Sequence, residues 1–335
     1  MKKINSIIEV KEIFETNKRF VFTMSRESEL AEGCYILHNE IPKCILQIQL
    51  RYCSPFIDGF VYQLKNSSEI FYFDFIKNQQ ILPKGYNFYA FNQNIENFLK
   101  LSLKKDEVKH FFLLDVFLNK KLMLEFPDYC FQNIFLRAKR KTIDAFGTSN
   151  LWKNDISKYG KNRTLNSEQI IPNEIDGALM GFEDSLYVPL QGGQLLCLDI
   201  NTGDKKWIQD YNGRSGFYSL NNDKIYKHDG LSLLEIDAKT GLALRSKIFS
   251  ESDEAEVQSF YSLNGFWTYE DVIILYGLDN TVVMLNKNNF SLFGFISLSA
   301  PISTDKNNVI WDKNKLYVLD LNNTLHIFEN EKLPD

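Results

Sequence analysis

One short pattern recurs along the chain and restricts what it can fold into. Residues 186–207 read Leu186-Tyr187-Val188-Pro189-Leu190, then Gly192-Gly193, then Gln194-Leu195-Leu196-Cys197-Leu198-Asp199, then Thr202-Gly203 and Lys205-Lys206-Trp207. This is an apolar run, a glycine turn, a second apolar run, an Asp-x-x-Thr-Gly turn and a third run that holds a tryptophan, the grammar of antiparallel strands joined by tight turns. An Asp side chain at the head of such a turn accepts hydrogen bonds from groups two or three residues on, and Gly takes the positive φ that ends it. Asp199, Thr202, Gly203 and Trp207 are therefore expected to be structural. The pattern returns at Ile225-Tyr226-Lys227-His228, Asp229-Gly230 and Leu233 to Asp237, with Thr240-Gly241 after it. Asp237, Thr240 and Gly241 thus repeat Asp199, Thr202 and Gly203 after 38 residues. A third copy puts Asn286 in the Asp position and Phe290 in the Gly position, and a fourth runs from Leu316 to Glu329.

Upstream, the template fits Phe60 to Asp74, Ile134 to Trp152 and, more weakly, Phe20 to His38. The first apolar runs then start at 20, 60, 134, 186, 225, 273 and 316. Repeats of roughly 40–45 residues, each a small antiparallel sheet, stack into closed rings that leave few exposed edges. With 14% aromatic residues to fill the gaps between sheets, the expectation is an all-β, seven-bladed β-propeller forming a single domain over residues 1–335. The overlong interval from 60 to 134 is read as an enlarged blade or insertion around residues 92–130, with a short helix at Asn94 to Leu103 and a hairpin from Phe111 to Leu124. Eight blades are the alternative. The chain ends soon after the second strand of the last copy, so the N-terminal segment, Ile4 to Val10 first of all, is expected to supply the missing outer pairing and close the ring.

The stretch Gly193 to Trp207, of the form Gly-x-Leu-x-x-Leu-Asp-x-x-Thr-Gly-x-x-x-Trp, resembles the repeat of pyrroloquinoline-quinone-type (PQQ-like) propellers, and WD40-like blades share the architecture. The likeness is strong over residues 186–245 and reduces to pattern elsewhere; the copy ending at Arg245 lacks the closing Trp. The resemblance implies that Trp207, and with it Trp152, packs and docks between blades. Quinoprotein enzymes of this type would carry PQQ, a calcium ion, a catalytic Asp and a vicinal cysteine pair. No Cys-Cys pair is present and the chain is short for that class, so no cofactor is expected and the resemblance is to a non-enzymatic cytoplasmic member.

Other chemistries find little support. Lys+Arg 38 against Asp+Glu 43 gives a net charge of -5, which argues against a broadly basic nucleic-acid binder. The five cysteines, Cys34, Cys44, Cys53, Cys130 and Cys197, are scattered without a CxxC, so neither a disulfide framework nor a zinc site is read and the compartment is taken as reducing. Glu9, Lys11 and Glu12 interrupt the basic start before an apolar segment forms, and no run approaches the length of a membrane helix. The four histidines lack ligand spacing, and there is no Gly-x-Ser-x-Gly elbow, GxGxxG or P-loop. No catalytic, cofactor-binding or metal residue is assigned.

Two charge features remain. Glu251, Asp253, Glu254 and Glu256 place four acids in six positions between two repeats, while Lys100, Lys104, Lys105, Lys109, Lys120, Lys121, Arg137, Lys139, Arg140 and Lys141 make the third unit basic. The plain reading of each is a solvated loop. The sharper reading of the acidic run is a partner-binding surface that steers a basic protein. Together these observations describe a non-catalytic, protein-binding propeller of the bacterial cytoplasm, specifically an immunity protein that neutralises a co-encoded basic toxin domain of the contact-dependent type. The alternatives are a ligand-binding or enzymatic propeller using its axial channel and a scaffold subunit of a larger assembly. Contact with membrane or nucleic acid is not expected.

Overall fold

The computed structural model describes residues 1–15, 20–24, 32–38, 41–56, 58–66, 69–76, 78–82, 86–88, 98–105, 108–115, 120–122, 128–131, 134–146, 150–163, 170–211, 215–249, 263–269, 271–277, 280–302, 308–312 and 314–330. Their regular structure is almost entirely strand. After β1 (Lys2–Ile7), the first sheet is β2 (Val10–Glu15), β3 (Phe20–Met24), β4 (Gly33–His38) and β5 (Ile41–Gln47). The second is β6 (Leu50–Phe56), β7 (Gly59–Leu64), β8 (Ile70–Phe73) and β9 (Asn78–Leu82), and the third β10 (Tyr86–Phe88), β11 (Phe98–Lys105), β12 (Val108–Asp115) and β13 (Lys120–Leu122). The fourth holds β14 (Tyr129–Phe131), β15 (Ile134–Lys139), β16 (Thr142–Phe146) and β17 (Asn150–Asp155), followed by a small ribbon of β18 (Lys161–Arg163) and β19 (Ile170–Pro172). The fifth is β20 (Met180–Phe182), β21 (Ser185–Leu190), β22 (Gln194–Asp199) and β23 (Lys205–Asp210); the sixth β24 (Phe217–Asn221), β25 (Lys224–His228), β26 (Ser232–Asp237) and β27 (Ala243–Ile248). The seventh is β28 (Leu263–Thr268), β29 (Val272–Gly277), β30 (Thr281–Asn286) and β31 (Leu292–Ser297), and the last comprises β32 (Val309–Asp312), β33 (Lys315–Leu319), β34 (Leu325–Glu329) and β1. Every sheet is an antiparallel meander in chain order, except that β1 joins the last one from the other end of the chain.

Eight four-stranded sheets are thus present among the described residues, where the sequence reading favoured seven. The difference lies in the interval assigned to an insertion. The apolar run at Phe111, which opens the expected hairpin, belongs to β12, and its partner β11 begins at Phe98, 39 residues after the start of β7 and 36 before the start of β15. The interval is two ordinary repeats. Phe98 to Leu103, expected within a short helix, pairs instead with residues 110–115 in full register. The expected hairpin is the β12–β13 pair. Lys100, Lys104, Lys105, Lys109, Lys120 and Lys121 consequently lie on strands of this sheet.

Closure by the N-terminal segment is observed, through Lys2–Ile7 with Val10 already in β2. It supplies one strand, since β32 comes from the C-terminal part of the chain itself.

The chain groups into two compact units, Met1–Phe126 with Leu298–Asp335, and Pro127–Ser297. Within each, the cores lie between consecutive sheets because alternate residues of a strand point to opposite faces. In Pro127–Ser297, Leu186 and Val188 of β21 pack with Leu136 and Ile143 of the preceding sheet, whereas Tyr187 packs with Ile225 and Ile236 of the following one. Tyr226, Leu233, Leu275 and Val283 continue the series. In the other unit, Phe14, Val21 and Phe60 join the first two sheets, and Phe20 stacks on Tyr317 with ring centroids 4.1 Å apart. The second and third strands of a sheet are buried on both faces, as in Ser185–Leu190, while fourth strands such as β27 alternate exposed and half-buried positions.

Candidate functional site

The two ends of the sheets in Pro127–Ser297 differ in chemistry. One end carries the turns between third and fourth strands. There Asp199 Oδ1 accepts from the amides of Asn201 (2.9 Å) and Thr202 (3.1 Å), and Gly203, at φ +76°, donates its amide to the Asp199 carbonyl. Asp237 Oδ1 accepts from both the amide and the hydroxyl of Thr240 at 2.7 Å, which hold its carboxyl below the usual range. In the third copy, Asn286 Oδ1 accepts from the Asn288 amide and Phe290 adopts φ +58°. Each of these turns receives a side chain from the preceding sheet. Trp152 donates its indole N–H to the Ile200 carbonyl (2.9 Å) and Trp207 to the Lys239 carbonyl (3.0 Å). Arg245, which stands where the repeat has Trp, donates to the carbonyls of Lys287 and Asn288 and lies 4.1 Å over the Phe290 ring. Tryptophan over glycine is thus replaced by arginine over phenylalanine at the same place. The exchange brings a charge inward, and Glu235 on β26, buried, answers it with bonds from Arg245 and from Lys224 Nζ (2.6 Å). Burial alone would raise the Glu235 carboxyl, but these two cations outweigh it and keep it below its ordinary value.

Between the ends, β25 carries two enclosed polar side chains on opposite faces. Lys227 donates to the Tyr211 carbonyl (3.0 Å) and faces Asp229 at 3.6 Å. His228 is fully buried against Phe249 and Phe266; Nδ1 donates to the Ser232 carbonyl at 3.3 Å, while Nε2 has no partner among the described residues. Burial pulls its pKa down to about 4, Lys227 adding to the effect and the Ser232 carbonyl and Asp229 opposing it.

The opposite end, where sheets connect to one another, is rich in carboxylates. Asp176 and Asp210 are exposed there, Asp176 accepting from the Ser215 hydroxyl at 2.5 Å and Asp210 facing Gln194 Nε2 at 3.4 Å. Asp229 is fixed by the amides of Leu231 and Ser232 and by the Ser232 hydroxyl; burial alone would raise its carboxyl, but these donors and Lys227 hold it low. Glu174 pairs with Arg140 and Lys141 at the same end. Glu251, Asp253, Glu254 and Glu256 lie outside the described residues, in the connection from β27 to β28, which leaves β27 and enters β28 at this end. Just before that connection, Ile248, the last residue of β27, is 76% exposed. Carboxylates held in place by hydrogen bonds beside an exposed apolar side chain can accept Lys or Arg side chains of another protein. The sequence reading singled out the acidic run but not Asp176 or Asp210, which stand alone in the chain and are brought together by the sheet order.

Among the described residues, no group of three or more His, Cys, Asp and Glu side chains is placed to hold a metal ion, and no helix is long and apolar enough to cross a membrane.

No family model and no curated protein matches the sequence. Among solved structures, the chain is similar to BamB from Moraxella catarrhalis, at 14% identity over 99% of this chain and 98% of that one, with a TM-score of 0.57. It is also similar to Sqt1 from Saccharomyces cerevisiae (11% identity, 100% and 99% coverage, TM-score 0.57) and to the computationally designed Ika8 protein (10% identity, 98% and 100% coverage, TM-score 0.57). Identities this low speak to the fold alone. Four-stranded antiparallel meanders in series, together with propeller structures that align along nearly the whole chain, give this protein the β-propeller fold.

Proposed function

We propose that this chain is a non-catalytic protein-binding propeller whose partner is a basic protein, and that it acts in the bacterial cytoplasm as an immunity protein occluding a co-encoded toxin domain. The observation that carries the reading is that Asp176 and Asp210 lie at the end of the Pro127–Ser297 sheets where β27 finishes with exposed Ile248 and β28 begins, the two strands that flank the acidic run Glu251 to Glu256 in sequence. Opposed potentials speed encounter and select the partner, while a small apolar centre slows dissociation. Trp152 and Trp207, each reaching the turn of the next sheet, support the PQQ-like form of the repeat.

Affinity capture of the tagged protein with the product of the adjacent gene tests this. A one-to-one complex is expected, weakened at least tenfold when Glu251, Asp253, Glu254 and Glu256 are changed together to Ser, and weakened again by raising salt, because exposed charge pairs are screened. A complex insensitive to both would remove the acidic end from the reading. No complex, combined with a thermal shift on adding a sugar, quinone or divalent ion, would favour a ligand in the axial channel.

A further inference from the structure

The cysteines look unrelated in the sequence, yet two of them meet in space. Cys34 on β4 and Cys53 on β6 are 19 residues apart and belong to adjacent sheets, and their Sγ atoms lie 3.9 Å from each other. Both are in thiol form. Cys34 is fully buried in the core shared by these sheets, with Val21, Phe60 and Tyr62, whereas Cys53 is half-buried at its margin. The remaining thiols are placed differently: Cys44 is exposed, and Cys130 and Cys197 are buried in the other unit. A sulfur separation of 3.9 Å exceeds the ~2.05 Å of a disulfide by an amount that side-chain rotation can close, provided the Cβ atoms already face each other.

We propose that Cys34 and Cys53 form a reversible disulfide that staples the first sheet to the second, with a low-molecular-weight disulfide as oxidant. The exposure difference sets the order of events. Cys53, reachable from solvent, attacks one sulfur of the small disulfide as its thiolate, forming a mixed disulfide and releasing one small thiolate. Cys34, as its thiolate, then attacks the Cys53 sulfur, forms the internal bond and expels the second small thiolate. The two protein thiols lose two electrons, the oxidant gains them, and the two protons pass to solvent or to the released thiolates. Because Cys34 sits where no second oxidant molecule can reach it, the internal step resolves the mixed disulfide.

The test is incubation of the full chain with glutathione disulfide under native conditions, followed by alkylation, intact mass and non-reducing peptide mapping. The expected product has lost about 2 Da and yields a Cys34–Cys53 cross-linked peptide. Its thermal midpoint should rise by several degrees and return on treatment with dithiothreitol. Cys34→Ser should instead retain one glutathione on Cys53, and Cys53→Ser should form no cross-link; circular dichroism of both reduced variants establishes that they are folded. Persistence of the mixed disulfide on Cys53 in the unmutated chain, or a cross-link through Cys44 in place of Cys34, would overturn the proposal.

Discussion

At the scale of single residues, the turn between third and fourth strands concentrates constraint. Gly241 sits at φ +72°, and a methyl group there would come within 2.8 Å of the Trp207 ring. Gly241→Ala combines backbone strain with a clash and should cost about 1–3 kcal/mol in urea unfolding. Trp207→Ala removes both the indole packing and the bond to the Lys239 carbonyl and should cost about 3 kcal/mol or more. His228 makes a prediction in pH. Its folded pKa of about 4 lies below the ordinary 6.5, so between these values the unfolded chain holds a proton that the folded chain does not. Its stabilising effect is complete above pH 6.5 and is lost as pH falls towards 4, by ~3 kcal/mol in all. Thermal midpoints measured from pH 7 to 4 should fall less steeply in His228→Gln; equal slopes would remove His228 as the cause. The Asp and Gly of such turns are legible in a sequence because their roles are local. The burial of His228 is not, because it depends on Phe249 and Phe266 arriving from other strands.

At the scale of elements, the contact between the sixth and seventh sheets substitutes an ionic joint for an aromatic one. Removing Arg245 leaves Glu235 buried with Lys224 as its remaining cation, so Arg245→Met alone should cost about 3 kcal/mol. The double variant Arg245→Met/Glu235→Leu should be less destabilised than the sum of its single changes, and a double-mutant cycle in denaturant measures that coupling. The pairing of β1 has its own clasp: His326 Nε2 faces Asp320 Oδ2 at 2.8 Å, and its Nδ1 lies 3.5 Å from Ser6 Oγ on β1. His326→Ala should lower stability by ~2 kcal/mol and make residues 1–9 cleavable by protease ahead of global unfolding. Second and third strands stood out in the sequence because they are buried on both faces and read as unbroken apolar runs. First strands did not. β10, β14 and β20 are three residues each, too short for a periodic signal; the third sheet was missed because its eight-residue second strand, β11, falls in the stretch read as a short helix.

At the scale of the whole molecule, the reading of residues 1–335 as one domain predicts a single calorimetric transition with equal calorimetric and van't Hoff enthalpies. Two resolved transitions would show that Met1–Phe126 with Leu298–Asp335 and Pro127–Ser297 unfold independently. The sequence by itself determined that this is a repeat protein of antiparallel strands, that Asp-x-x-Thr-Gly turns end the third strands, and that the N-terminal segment pairs with the last repeat. These follow from periodicity and turn chemistry, which act over a few neighbouring residues and so leave a mark in linear order. The tertiary structure alone decided that the described residues form eight four-stranded sheets, that Arg245 and Phe290 replace Trp and Gly as a matched pair, that Asp176 and Asp210 share one end of the Pro127–Ser297 sheets, and that the Cys34 and Cys53 sulfurs are neighbours. Each depends on which strands lie side by side, a relation between residues tens of positions apart that no local pattern encodes.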